Sequence, residues 1–448
     1  MGLSKMWVVL TMSIALMSGA VHASRPSRAC AVGEPPITAG AVGYARMPVD
    51  HVMRNFVIKL PTSYRHDSPD PLVISIHGWR SCAEEQADDD LFGVLGDEED
   101  FIAVWPEGRG DGPDAGEPGF PWNSWNGSGA TTSPGVEGHT CVRKSGFCYE
   151  SCRTQSGNCD NPCDWASCSN DLGYIEALLD YLERHFCIDL DMFYATGFSN
   201  GGIFSWQIGM SMANRFAAVS PGGGQPFIGF LEPPNLDGGH RISVMDVHGA
   251  NDTVCPPYGG ESHDDAEGLF WDCEGWLYTP VSTCTRTFAE RHGCHGGETD
   301  FELIPPPWSE HVKCYQHGKC TADNAEFVRC VWIGTAATQY GGHFWPELPT
   351  RLDGSRLVWW FFKRHPFIHP VTPSLDSATS HVFYSTASDA EWITQDEYRR
   401  EATRGLCPPS LPATLRNATA VERALFRRRR AVLARAEFAT HLGVNEAH

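Results

Sequence analysis

Positive charge is scarce in this chain. Its 34 lysines and arginines stand against 55 aspartates and glutamates, a net charge of −21 over 448 residues. That balance argues against nucleic acid or an anionic membrane surface as the main partner. Long apolar runs are missing as well. The longest, Met6 to Met17, falls short of the ~20 residues that a bilayer-crossing helix needs. No internal repeat is visible, which excludes a repeat architecture. Histidine is absent from the densest cysteine stretch, Cys141 to Cys168, so its C-x3-C spacings favour disulfides over a zinc site.

What is present begins with the first 23 residues. Lys5 supplies a positive start, the short apolar run follows, and Val21-His22-Ala23 has the small-residue form of a signal-peptidase site. Residues 1–23 therefore read as a secretory signal, and the expected location is extracellular. All 17 cysteines follow that site, which suits an oxidising compartment and a disulfide-stapled protein. An odd number leaves at least one thiol free or paired with another chain. Asn126, Asn251 and Asn417 head glycosylation sequons. Asn126 is a candidate to carry sugar. Asn251 is expected to stay bare, because it precedes a candidate catalytic acid.

Residues 24–45 read as an irregular lead-in. Beyond them, short apolar runs alternate with helical patterns. "RNFVIKLP", "PLVISIHG", "FIAVWPEG", "MFYATG", "FAAVSPGGG", "RISVMDVHG" and "FVRCVWIG" have the composition of strands, several of them buried on both faces. "LGYIEALLDYLERHF" carries Ile175, Leu178, Leu179 and Leu182 at helical spacing, with Asn170 or Asp171 available as a cap. Gly202–Met212 predicts another helix, and "LVWWFFKRH" the last. The alternation predicts an α/β domain over residues 46–367, with a mostly parallel sheet flanked by helices. Cysteine-rich insertions are expected at about 109–169 and 255–325. Residues 368–448 form a C-terminal extension with a basic helix, where seven arginines and one acid lie between Arg416 and Arg435. The run "RRRR" there reads as a solvated helix, a convertase site or an anionic docking patch.

The chemistry centres on "GFSNG", Gly197 to Gly201, which matches G-x-S-x-G between a predicted strand and a predicted helix. A nucleophile elbow requires that context. Ser199 sits at its tip, and the Asn200 N–H faces a developing oxyanion near a helix N-terminus. A serine hydroxyl needs a base held by an acid, each on a loop after a strand, in the order Ser, Asp, His. Asp252 and His343 fill those places, and Asp246 is a rival acid within its strand. The second oxyanion donor is expected from the Trp79 N–H, with Arg80 the alternative. Trp122, Trp125 and Trp345 lie near this rim in sequence. They are candidates for stacking on a sugar or aromatic acid, with core packing as the other role.

With these residues in place, the chain resembles the secreted esterases related to polyhydroxybutyrate depolymerases and feruloyl esterases, within the α/β-hydrolase superfamily. The resemblance runs from about Arg54 to His365 through "PLVISIHG", "FIAVWPEG", "WNSWNG", "YATGFSNGG", "VHGANDTVCPPYGG", "FAERHGC", "GGHFWP" and "WWFFKRHP". It implies an α/β-hydrolase fold, with Ser199, Asp252 and His343 as nucleophile, acid and base. The oxyanion loop then falls on His77, Gly78 and Trp79. It implies two-step acyl transfer on feruloyl, acetyl or polyester substrates, with no metal and no cofactor. Where the family often has two acidic residues, this chain has Asn170-Asp171. Two other functions stay open from the residues: a non-catalytic stapled binding protein, and a serine peptidase on the same fold.

Overall fold

The computed structural model describes residues 24–31, 33–110, 123–142, 149–156, 165–263, 275–305, 308–318, 320, 325–332, 342–348, 350–367 and 389–402. The proposed signal, Trp122, the basic run and Asn417 lie outside them. No helix among the described residues is long and apolar enough to cross a membrane.

Eleven strands form one sheet in the order β10-β11-β12-β7-β6-β5-β3-β4-β2-β1-β13. They are β1 (Val42–Val49), β2 (Val52–Lys59), β3 (Asp70–Ile76), β4 (Ile102–Pro106), β5 (Ile188–Phe198), β6 (Ala218–Gly222), β7 (Ser243–Gly249), β10 (Glu298–Asp300), β11 (Val312–His317), β12 (Phe327–Trp332) and β13 (Glu391–Ile393). A separate ribbon pairs β8 (Gly260–Glu261) with β9 (Leu277–Tyr278). The strands from β4 to β12 run parallel, and the outer strands on both sides are antiparallel. The helices are α1 (Ala83–Asp90), α2 (Phe92–Glu99), α3 (Glu150–Ser156), α4 (Asp171–His185), α5 (Asn200–Ser211), α6 (Val281–Arg291), α7 (Arg351–Phe362) and α8 (Gln395–Ala402). This is the α/β-hydrolase fold.

Local chemistry explains the elements. β4 is a continuous apolar run buried along its whole length, as suits a doubly covered sheet, and β7 is equally buried although it carries Asp246 and His248. Asn170 caps α4 by accepting the Gly173 N–H at 3.0 Å. Asp171 turns inward instead and pairs with buried Arg54 at 2.8 Å. α7 begins six residues before the expected "LVWWFFKRH", because Thr350 and Asp353 form a reciprocal capping box.

Three boundaries differ from expectation. β1 starts at Val42, inside the stretch read as irregular. Its alternating burial comes from Ala45, Met47 and Val49, too sparse a pattern to stand out beside Gly43 and Pro48. Residues 25–30 are also tied down, with Cys30 bonded to Cys187 and Ser27 Oγ donating to the Phe186 carbonyl at 2.7 Å. The second insertion is no mere decoration. Within it α6 buries Val281, Cys284, Thr285, Phe288 and Ala289 against the sheet, and β10 and β11 widen that sheet. Part of the C-terminal extension joins the domain too, since β13 pairs with β1. Disulfides Cys152–Cys168, Cys294–Cys320 and Cys314–Cys330 cross-link the cysteine-rich segments, and Cys82 and Cys141 are disulfide-bonded as well.

Two outcomes follow for stability. Cys30–Cys187 closes a loop of 157 residues. Its removal in Cys30→Ser/Cys187→Ser should therefore cost about 2–4 kcal/mol in denaturant unfolding. Asp90 is wholly buried. Burial pushes its carboxyl up to about 7, against the pull of bonds from Ser75, Phe92, Trp105 and Gln86. Between pH 4 and 7 the folded chain then holds a proton that the unfolded chain has lost, so this group's contribution declines as pH rises. Asp90→Asn should reduce that fall in stability by about 1.4 kcal/mol per pH unit, read from unfolding curves across the window.

Candidate active site

The nucleophile candidate sits where β5 turns into α5. Ser199 has φ +57° and ψ −119°, a strained conformation for a residue with a side chain. Neighbouring glycines permit it by close approach. A Cβ on Gly201 would lie 2.1 Å from the Ile76 carbonyl oxygen, and one on Gly197 would lie 2.6 Å from the Gly201 oxygen. The Ser199 N–H is held by the Gly222 carbonyl at 2.9 Å. The elbow is thus wedged between the ends of β3 and β6.

Asp252 and His343 arrive from loops at the same end of the sheet. His343 Nδ1 lies 2.8 Å from Asp252 Oδ2, and its Nε2 lies 3.0 Å from Ser199 Oγ. The carboxylate can only accept, so Nδ1 carries the proton and Nε2 is left to receive one from the serine. Asp252 is itself fixed, because its Oδ1 accepts the Val254 and Cys255 N–H groups at 2.9 Å each. Gly342, at φ +97°, lets the loop before His343 press on β7, where a Cβ on Gly249 would lie 2.3 Å from the Gly342 oxygen. His343 is therefore within hydrogen-bond reach of both Ser199 and Asp252.

Asp246, the rival acid, faces elsewhere. Its Oδ1 lies 3.0 Å from His248 Nδ1, while His248 Nε2 meets the Cys255 carbonyl at 2.9 Å and Asp252 Oδ2 at 3.8 Å. Both ring nitrogens face oxygen atoms. Burial by itself lowers the His248 pKa, but the Asp246 charge and hydrogen bond, with Asp252 and Cys255, outweigh it and the net direction is upward. Burial raises the Asp246 carboxyl in turn, against the pull of His248. His248 thus links the rival acid to the back of Asp252.

The loop after β3 passes over the serine. A Cβ on Gly78 would stand 3.3 Å from Ser199 Cβ. The Arg80 N–H donates to the Asn123 carbonyl at 2.9 Å, which removes Arg80 as an oxyanion donor. The Gly78–Trp79 peptide is held from its carbonyl side. Gly108 N–H donates to His77 Nε2 at 2.8 Å, so His77 carries its proton on Nδ1 and donates to the Gly78 oxygen at 2.7 Å. The N–H of a trans peptide points opposite to its carbonyl, so this bond orients the Trp79 N–H. The Asn200 side chain brackets the Trp125 backbone with bonds of 2.7 and 3.0 Å.

Of the three candidate rim tryptophans, Trp125 and Trp345 take the core-packing role, and Trp122 lies outside the described residues. Trp125 is fully buried, stacked on Phe204 and Tyr174. Trp345 packs edge-on against Phe92 and donates from Nε1 to Ser355 Oγ at 3.0 Å. Aromatic material beside the site comes instead from the insertions. Half-buried Trp79 donates from Nε1 to Tyr149 Oη at 2.9 Å and meets Trp165 edge-on. Trp165 in turn packs on Trp276 and Phe227, in a cluster that also holds Ile203 of α5 and Val254 and Cys255 of the acid loop. Asn126, a candidate to carry sugar, donates its amide to the Ser169 carbonyl at 3.2 Å, whereas Asn251 is exposed.

Glu107, His248 and Tyr398 were missed from the sequence. Glu107 follows directly after β4 at the carboxyl end of the sheet, the same positional rule that located Asp252 and His343. His248 had the i−4 spacing to Asp252 as a signal. Among the described residues, no group of three or more His, Cys, Asp or Glu side chains is arranged to hold a metal ion.

No family model matches the chain. Stretches of it are similar to curated esterases. It is 38% identical over 91 residues to "Probable feruloyl esterase C" of Aspergillus clavatus, covering 20% of this chain and 31% of that protein. It is 21% identical over 238 residues to a bifunctional acetylxylan esterase/xylanase of Neocallimastix patriciarum, covering 52% of this chain and 26% of that one. The chain thus spans about a third or less of the length of these relatives. A solved acetyl xylan esterase from Aspergillus awamori aligns over 69% of this chain and 93% of its own, at 14% identity and a TM-score of 0.39.

The placement of Trp345 can be tested directly. Trp345→Phe should lower stability by about 1–3 kcal/mol. KM for an aromatic ester should stay as in the wild type; a raised KM at unchanged stability would return Trp345 to the substrate site.

Proposed function

We propose that this α/β-hydrolase is a secreted serine carboxylic-ester hydrolase with Ser199, His343 and Asp252 as nucleophile, base and acid. One observation carries the reading: a single imidazole bonded to the serine at 3.0 Å and to the aspartate at 2.8 Å, on three separate loops. The partial similarity to feruloyl and acetylxylan esterases supports the substrate class. The disulfides support an extracellular setting.

The reaction proceeds in two halves. His343 Nε2 takes the Ser199 proton as Oγ attacks the ester carbonyl carbon. The carbonyl oxygen gains negative charge and is received by the backbone N–H groups of Trp79 and Asn200. His343 returns the proton to the departing alcohol, leaving an acyl-enzyme. Water then gives a proton to His343 as it attacks the acyl carbon, and His343 passes that proton to the departing Ser199 Oγ, releasing the acid and restoring the free serine. Asp252 holds the imidazole tautomer throughout. No metal or cofactor enters these steps. The aromatic cluster around Trp79 supports an acyl group with a ring, ferulate before acetate or hydroxybutyrate.

An ester panel of methyl ferulate, acetylated xylan and hydroxybutyrate oligomers tests this reading, with a peptide substrate as the peptidase comparison. Ser199→Ala should lose ~10³-fold or more in kcat on the preferred ester. A fluorophosphonate probe should label wild type and not the variant. Equal rates, or an unlabelled wild type, would leave a binding protein on a hydrolase scaffold.

A further inference from the structure

Resting on that esterase reading, we propose that Tyr398, from the C-terminal extension, is a positioning residue for the oxyanion loop and acts through Glu107. The segment that carries it is well anchored. β13 adds to the outer edge of β1, and Arg46 Nε reaches Glu391 at 2.9 Å across that pairing. Thr394 and Glu397 then form a reciprocal cap that starts α8, with bonds of 2.8 and 3.2 Å. α8 is polar, and Tyr398 is its one buried side chain among the described residues. The ring packs against Tyr44, and the hydroxyl donates to Glu107 Oε2. Burial, with the Glu107 charge, pushes the Tyr398 phenol well above its ordinary value, so it remains a donor.

Glu107 is where the loop's supports converge. It is 3% exposed at the end of β4. Oε2 also accepts the Ala83 N–H at 3.0 Å, and Oε1 accepts Asn123 Nδ2 at 2.7 Å. His77 Nε2 stands 3.2 Å from Oε1. Each neighbour touches the loop that crosses Ser199. Asn123 holds the Arg80 N–H, and Ala83 begins the helix into which the loop runs. His77, steadied by the Gly108 N–H next to Glu107, grips the Gly78 carbonyl. A buried carboxylate that loses a donor must find another, and the donors within reach are those that fix the loop. Tyr398 thereby leaves Asn123 and Ala83 in the places that hold the Trp79 N–H on target.

Two other contacts dock α8 without touching Glu107. Arg399 reaches both oxygens of Glu84 at 2.7 and 3.1 Å, and Gln395 bonds the same carboxylate. They separate docking of the helix from the action of the hydroxyl.

The test uses the full chain with p-nitrophenyl acetate, rates being normalised to sites titrated by a fluorophosphonate. Tyr398→Phe should lower kcat about 10-fold, a fraction of the ~10²–10³ lost with a whole oxyanion donor, and leave KM unchanged. Glu107→Gln should lower kcat similarly, and the double variant should be no worse than Glu107→Gln alone. Arg399→Gln should keep the wild-type kcat. An unchanged kcat in Tyr398→Phe, multiplying losses in the double variant, or an equal loss in Arg399→Gln would each overturn the role. If Tyr398→Phe does not accumulate folded, Glu107→Gln at wild-type kcat overturns it. A wild type without Ser199-dependent turnover is a different result, the failure of the esterase reading itself.

Discussion

The site depends on how closely two backbones meet at the end of the sheet. Gly201 lies against the Ile76 carbonyl with no room for a methyl group, and Gly197 lies against Gly201 in turn. That contact holds the turn between β5 and α5 tight enough to force Ser199 into a left-handed conformation. The strain at one residue is offset by the largely buried α5 behind it, which is secured to the Trp125 segment by the Asn200 amide. Loosen the approach and the serine relaxes away from His343, the Asn200 N–H turns with it, and the loop over Gly78 loses its floor.

Around that turn the interior is unusually ionic. Asp246, His248 and Asp252 form a buried run leading to His343, and Arg54 with Asp171 forms another pair near Trp125, Arg54 also donating to the Glu107 backbone carbonyl. Buried charges are costly unless each finds partners. Here many of the partners are backbone groups of the loops around Ser199, such as the Val254 and Cys255 N–H groups on Asp252 and the Ala83 N–H on Glu107. The electrostatics therefore fix loop geometry more than they add stability.

Much of this was legible in the primary structure, for a definable reason. Strands such as "PLVISIHG" and "FIAVWPEG" are mostly apolar runs because both faces are covered, and their carboxyl ends mark where candidate site side chains emerge. The elbow announced itself through Gly197 and Gly201, whose spacing is a steric requirement. Tryptophans at 125 and 345 misled because proximity along the chain says nothing about direction: one stacks inward beneath the loop, the other against Phe92. β1 was obscured by an edge pattern with few apolar residues. Tyr398 was unreadable, since its importance comes from a contact with Glu107 across 291 positions.

The pairing of β13 with β1 has one further consequence. Arg46 and Glu391 meet across 345 positions, so the flank of the sheet stays open until almost the whole chain has left the ribosome. Until then β1 offers unpaired backbone groups to any passing strand, an invitation to aggregation during synthesis. Among the described strands, the last to be made is thus the one that seals this border.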